Sequence, residues 1–173
     1  MQQDILQNVK RVHFVGIGGS GMSSLAEILH SQGYQLSGSD VNESDNVNRI
    51  RALGIPVHMG HDGQNIEGAD LIVYTVAVND SNPELTAARE KGIPMIERAN
   101  LLGLITARYS NTVAVAGTHG KTTTTSMISQ ILLKANLDPT LFIGGRLPLI
   151  NANGRAGKSD TMVCEACEFK DHY

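Results

Sequence analysis

The stretch "RVHFVGIGGSGMSSLAEILHSQGY", Arg11 to Tyr34, decides how the rest of the chain is read. A short apolar run ends at Gly16, and Gly16, Gly18 and Gly21 then follow the spacing G-x-G-x-x-G. Beyond them Met22, Leu25, Ala26, Ile28 and Leu29 recur at helical spacing until Gly33 marks a helix end. A strand, a glycine turn and a helix in that order make a seat for a diphosphate. The glycines let the backbone turn tightly and approach the phosphates, and the helix offers them the positive end of its dipole. Asp40 closes the next predicted strand, "YQLSGSD", where such folds keep an acid for a ribose hydroxyl. The loop therefore predicts a diphosphate-linked nucleoside. It does not specify which one, because it reads phosphates and little else.

Working outward, the same cassette recurs. Val47, Ile50 and Leu53 fall on one helical face before "GIPV", and "NPELTAAREKGIPMI" again gives a helix, a Gly-Ile-Pro and an apolar run. Between them "ADLIVYTVAV" is the most strand-like segment of the chain. Repeated βαβ units imply a parallel sheet with helices on its faces. After the short helical "RANLLGLITAR" a new strand, "NTVAVAG", begins near Asn111, which places a domain boundary around Ala107 to Ser110. The expected fold class is α/β: a Rossmann-like parallel-sheet domain over residues 1–106, then the start of a P-loop α/β domain over 107–173. The second has a helix from "KTTTTSMISQILLKAN", strands from "TLFIGG" and "DTMVCEA", and an open Gly/Asn-rich loop, "RLPLINANGRAGKSD". That is too few strands to close an α/β domain, so the chain reads as a fragment of a longer protein.

Composition narrows the partners. In 173 residues, 41% hydrophobic and without tryptophan, the formal net charge is −3, and no Lys/Arg cluster supplies the footprint of a nucleic-acid binder. No apolar run has the length of a signal peptide or a membrane span, so a cytoplasmic location with neither membrane nor nucleic-acid partner is expected. The two cysteines, Cys164 and Cys167 in "CEACE", form a lone C-x-x-C with only His172 as a nearby further ligand. They read as strand cysteines, and no metal is assigned to them.

The second glycine loop, "AGTHGKTTTT", lies between a β-branched strand and an amphipathic helix. It departs from the strict G-x-x-x-x-G-K-[ST] pattern at Val115, which stands where the first glycine would be. Gly117, Gly120, Lys121 and Thr122 keep the rest. Backbone N–H groups from such a loop wrap phosphates, Lys121 reaches the β- and γ-phosphates, and the Thr122 hydroxyl ligates magnesium. Four successive threonines cost helix propensity, which suits a functional loop better than a packing device. His119 reads as a loop-shaping residue. Magnesium also needs a carboxylate: Glu165, at the end of "DTMVCE", is the right type at the tip of a strand expected beside the loop's own. Glu168 is the alternative and reads equally as a solvated acid.

Together "HFVGIGGSGMSSLAEIL", "GYQLSGSD", "AGTHGKTTTT" and "EACEFKDHY" resemble the Mur ligases, ATP-dependent enzymes that build the peptide of bacterial peptidoglycan. The resemblance covers the whole chain, and in that family the missing first glycine is normal. It implies that the first loop holds the diphosphate of UDP-N-acetylmuramate and the second holds ATP. It further implies an amide ligase that joins L-alanine to the muramoyl carboxylate through an acyl phosphate, with magnesium. Carried over residue by residue, Gly16, Ile17, Gly18, Gly19, Ser20, Gly21, Ser39, Asp40, Thr75 and Ala77 would face the UDP-sugar. His61 and Arg98 are further candidates that read equally as surface residues. Gly117, Thr118, His119, Gly120, Lys121, Thr122 and Thr123 would bind ATP, Lys121 would be catalytic, and Thr122 and Glu165 would hold the metal. The chain departs from the family at Cys167, where many members carry Asp. Because the rest of the ATPase domain and a closing domain are missing, the fragment alone is expected to be inactive. An NAD(P)-binding Rossmann regulator with a P-loop segment is the alternative from a different class. A related recycling ligase and a non-catalytic truncated paralogue also remain open.

Overall fold

The computed structural model describes residues 5–166. A 3-10 turn at Ile5–Asn8 leads into β1 (Arg11–Val15), followed by α1 (Ser20–Ser31), β2 (Gln35–Asp40), α2 (Asp45–Ala52) and β3 (Val57–Met59). Then come β4 (Leu71–Tyr74), α3 (Pro83–Glu90), β5 (Met95–Glu97) and α4 (Arg98–Thr106). The chain divides into two units between Leu101 and Leu102, inside α4.

The first unit is a five-stranded sheet in the order β3-β2-β1-β4-β5. Every pairing is parallel, with Phe14 opposite Gly38 on one side and Val73 on the other. The chain runs outward from β1 to β3, crosses back to β4 beside β1, and runs outward again. Strand order therefore reverses between β1 and β4, and ligands of such sheets bind outside the carboxyl ends of the strands at that reversal. Both the 16–21 loop and the 75–78 loop leave from those two strand ends.

Side chains alternate across the sheet. Val15 and Ile72 face α3 and pack with Ile66, Leu85 and Ala88. Met22, Leu25, Ala26, Ile28 and Leu29, the helical stripe seen in the sequence, are all buried on α1. At roughly 1.5–3 kcal/mol for each large apolar side chain buried, this stripe supplies most of what holds the helix to the domain. Arg49 on α2 reaches Glu27 on α1 through Nε at 2.7 Å and Nη2 at 3.0 Å, which fixes the second helix against the first.

β4 is shorter than the apolar run "ADLIVYTVAV" implies. It ends at Tyr74 because Thr75 starts a turn: its Oγ1 accepts from Ala77 N at 3.2 Å and its carbonyl from Val78 N at 3.0 Å. Val76 is left 46% exposed, so the last apolar residues are loop and not core.

The second unit contains β6 (Asn111–Val115), α5 (Lys121–Lys134), β7 (Thr140–Leu147), β8 (Ala152–Arg155) and β9 (Thr161–Glu165). The sheet order is β6-β9-β7-β8, with β8 antiparallel to β7 and the other pairs parallel. Leu141, Ile143, Leu147 and Val163 form its core, with Ile128, Leu132 and Leu133 of α5 packed on them. The sequence reading of "RLPLINANGRAGKSD" as open loop is corrected here. Residues 147–152 make a tight turn, with Asn151 at φ 53°, and Ala152 to Arg155 pair back onto Leu147 to Leu141. Small residues conceal this strand in the sequence; Arg155 anchors it by pairing with Asp138.

Candidate functional site

The first loop rises from β1 and is tied to the end of β2. Gly16 and Ile17 both donate their N–H to the Ser39 carbonyl, at 2.8 and 2.9 Å, and Gly19 N–H bonds Gly16 O at 3.2 Å. Gly16 sits at φ 79°, a conformation that costs a side-chain-bearing residue about 1–2 kcal/mol. Gly18 is needed for a different reason: a Cβ there would lie 2.8 Å from both Asp40 Oδ2 and Val47 Cγ2. That space is occupied because Gly18 N–H donates to Asp40 Oδ2 at 2.9 Å, while Asp40 Oδ1 accepts from Asn42 N at 3.0 Å. Asp40 thus braces the loop it was expected to serve from outside.

Four of the loop's N–H groups, Gly16 to Gly19, are accordingly spent inside the protein. The donors left to meet an anion are those of the first turn of α1, at Ser20, Gly21 and Met22, since the first intrahelical acceptor is used by Ser23 N–H, to Gly19 O at 2.8 Å. Ile17 is buried, Gly19 and Ser20 are exposed, and Thr75 and Ala77 stand on the loop after the neighbouring strand. Arg98 opens α4.

Ser39 differs from its expected place. Its side chain is fully buried and donates to Glu84 Oε2 at 2.6 Å, so its hydroxyl does not line the loop's mouth. Glu84, in the first turn of α3, gathers four residues. His61 Nδ1 lies 2.9 Å from Oε2, Asn65 Nδ2 donates to Oε1 at 2.7 Å, and His13 Nε2 stands 3.5 Å from Oε1, too far for a good hydrogen bond. His13 is completed on its other nitrogen by Ser37 Oγ at 2.8 Å. Burial by itself raises a carboxyl pKa, but the His13, Ser39 and Asn65 contacts outweigh it and hold Glu84 down at about 2. The sequence signals for this cluster were modest. Asn82 and Pro83 mark a helix start, an acid in the first turn reads as a dipole partner, and His13 occupies an inward strand position normally given to an apolar residue.

In the second unit β6 continues through Val115, which pairs with Glu165, and Ala166 N–H bonds the Val115 carbonyl at 3.0 Å. Val115 is therefore still strand, and a glycine is not needed there. The loop turns only at Gly117, φ 142°, and at Gly120, φ 78°, which caps α5. Lys121 donates from Nζ to the Gly117 carbonyl at 2.5 Å, folding back over the loop. Thr118, His119, Thr122 and Thr123 are exposed around it.

The expected pair of oxygens does meet. Thr122 Oγ1 donates to Glu165 Oε2 at 3.2 Å, and Gly144 N–H donates to Glu165 Oε1 at 2.7 Å. Two adjacent ligands of an octahedral magnesium stand roughly 3 Å apart, given bonds of about 2.1 Å. Hydroxyl and carboxylate are also the hard donors that ion prefers, so the pair fits it. Gly144, which the sequence reading passed over, holds Glu165 in place. Cys164 is buried in β9, which pushes its thiol up to about 11. Cys167, Glu168 and His172 lie outside the described residues.

A cavity of about 880 Å³ lies at the opposite end of the first sheet, lined by Lys10, Arg11, Gln35, Asp70 and Pro94 among others. It touches none of the glycine-loop residues, and the loops, with their helix N-termini, are the better candidates despite its size. No described helix is long and apolar enough to cross a membrane.

Comparison with known proteins gives the family. Residues 11–110 match the family model described as "Mur ligase family, catalytic domain", a span that takes in the first loop and stops before β6. The chain belongs to the Mur ligase family. A UDP-N-acetylmuramate–L-alanine ligase of Clostridium novyi is 53% identical over 163 residues, 94% of this chain and 36% of that protein. One of Clostridium tetani is 49% identical over all of this chain and 38% of its own length. The crystal structure of the UDP-N-acetylmuramate–alanine ligase of Thermotoga maritima superposes with a TM-score of 0.83 at 35% identity, over 90% of this chain and 37% of that one. The murein peptide ligase of Psychrobacter arcticus gives 0.84 at 26% identity, over 92% and 38%. The chain thus spans little more than a third of the length of the relatives it matches.

Proposed function

We propose that these residues are the UDP-N-acetylmuramate-binding domain and the beginning of the ATP-binding domain of a ligase that joins L-alanine to the muramoyl carboxylate. The observation that carries this reading is the presence of two phosphate-type loops in separate units, the second with Thr122 and Glu165 converging beside its lysine. The relatives' names supply the substrates.

In this reading the first turn of α1, from Ser20, receives the diphosphate. Gly16 to Gly19, Ser39 and Asp40 hold the loop in shape, and Thr75 and Ala77 border the same ligand. Asp40 acts through Gly18, its two oxygens accepting the Gly18 and Asn42 N–H groups. The preference for a UDP-sugar over NAD rests on the relatives' names.

The loop from Gly117 to Thr123 wraps ATP, and Lys121 leaves the Gly117 carbonyl for the phosphate oxygens. Magnesium on Thr122 and Glu165 would neutralise charge on the transferred phosphoryl group. The γ-phosphoryl group passes to the muramoyl carboxylate, giving ADP and an acyl phosphate. The alanine amine attacks that carbonyl, phosphate leaves and the amide forms. Use of ATP supports a cytoplasmic location for the reaction.

The test is Lys121→Ala in the ligase at full family length. We expect phosphate release in the presence of UDP-N-acetylmuramate and L-alanine to fall at least a thousandfold, an effect of about 4 kcal/mol on the barrier. Ordinary turnover by the variant would remove Lys121 from the mechanism.

A further inference from the structure

We propose that Glu84 is a positioning residue for the diphosphate loop, acting through Ser39 and His61; this rests on the reading of the first loop given above. Ser39 is gripped from two sides. Its carbonyl accepts both Gly16 and Ile17 N–H, which sets the loop's departure from β1, and its hydroxyl donates to Glu84. The same carboxylate takes His61 and Asn65, and Asn65 also donates to Gly60 O at 3.1 Å, while Gly60 N–H bonds Asp40 O at 2.8 Å. One buried group therefore fixes Ser39, Asp40 and the segment after β3, the three pieces of backbone on which the loop is built.

Stability alone is a poor account of this cluster. Replacing a buried ionic group and its partners with apolar residues of similar volume is often neutral or stabilising, so such a cluster is weak evidence for a purely structural role. Its place beneath the loop, bound directly to Ser39 and linked through Asn65 and Gly60 to Asp40, is what a ligand-binding role requires. Preorganised donors need their supporting groups locked by contacts of this kind.

The experiment measures calorimetric affinity for UDP-N-acetylmuramate in this chain and three variants, at a temperature where circular dichroism shows each folded. Glu84→Gln keeps the size but loses the charge, and its affinity is expected to fall at least tenfold. Amide resonances of Gly16 and Ile17 should move with it. Leu85→Ala, the next residue of the same helix, loses stability through a cavity without touching a polar partner and should bind within twofold of the parent. Should Glu84→Gln not fold, Ser39→Ala decides, with a loss of at least threefold expected. Unchanged affinity in the folded Glu84→Gln, or an equal loss in Leu85→Ala, overturns the proposal. Absence of binding by the parent chain would instead overturn the reading of the loop itself, and this inference with it.

Discussion

Gly144 has no side chain because Glu165 fills the space one would need: a Cβ there would lie 2.5 Å from Oε2. Gly144→Ala must push the carboxylate away from Thr122. In the full-length ligase we expect the KM for magnesium-ATP to rise about tenfold, some 1.4 kcal/mol, with affinity for UDP-N-acetylmuramate unchanged. An unaltered KM would separate Glu165 from the metal. Glu84 makes a pH prediction. Its folded pKa of about 2 lies below the ordinary 4.5, so its contribution is present above pH 4.5 and is lost as the pH falls from there toward 2. The ionisable groups facing it are His13 and His61, with Ser39 and Asn65 as neutral donors. Urea titrations of the parent and Glu84→Gln should show a stability gap that narrows steadily as the pH falls below 4.5. A gap independent of pH would mean that the carboxylate is not ionised in the folded protein.

At the level of elements, what the sequence disclosed depended on how much each segment relied on its neighbours. α1 was legible because its buried stripe is periodic and Gly33, at φ 90°, stops it. The partnership of Thr122 with Glu165 was legible because Glu165 ends a strand expected beside β6, and the loop that follows β6 delivers Thr122 at the start of α5. β8 was not, since "ANGR" has no strand character of its own and is held only by pairing with β7. β4 was overestimated because apolar residues after Tyr74 say nothing of the Thr75 turn. The Glu84 cluster draws on β1, β2, β3's following segment and α3, and no local pattern joins four such pieces. The hairpin has a consequence for proteolysis. Arg155 lies in the β7–β8 ladder, whereas Lys158 is exposed beyond it. Limited tryptic digestion, read by mass spectrometry, should therefore cut after Lys158 before it cuts after Arg155. First cleavage at Arg155 would show that the ladder does not persist in solution.

For the whole molecule the central claim is a division of labour: the first unit takes a sugar nucleotide at the head of α1, and the second takes ATP at the head of α5. The strand order 3-2-1-4-5 sets the first loop at the reversal between β1 and β4, where such sheets bind ligands. The loop's donors come from within one domain, so under the proposed function binding should not depend on the remainder of a ligase. Calorimetric titration of this chain and of its Lys121→Ala variant with UDP-N-acetylmuramate, with NAD titrated in parallel, tests this most directly. We expect saturable one-to-one binding of the UDP-sugar, the same in both proteins within twofold, and at least tenfold weaker binding of NAD. Binding of NAD in preference to the UDP-sugar, or loss of UDP-sugar binding in the Lys121→Ala variant, would contradict it.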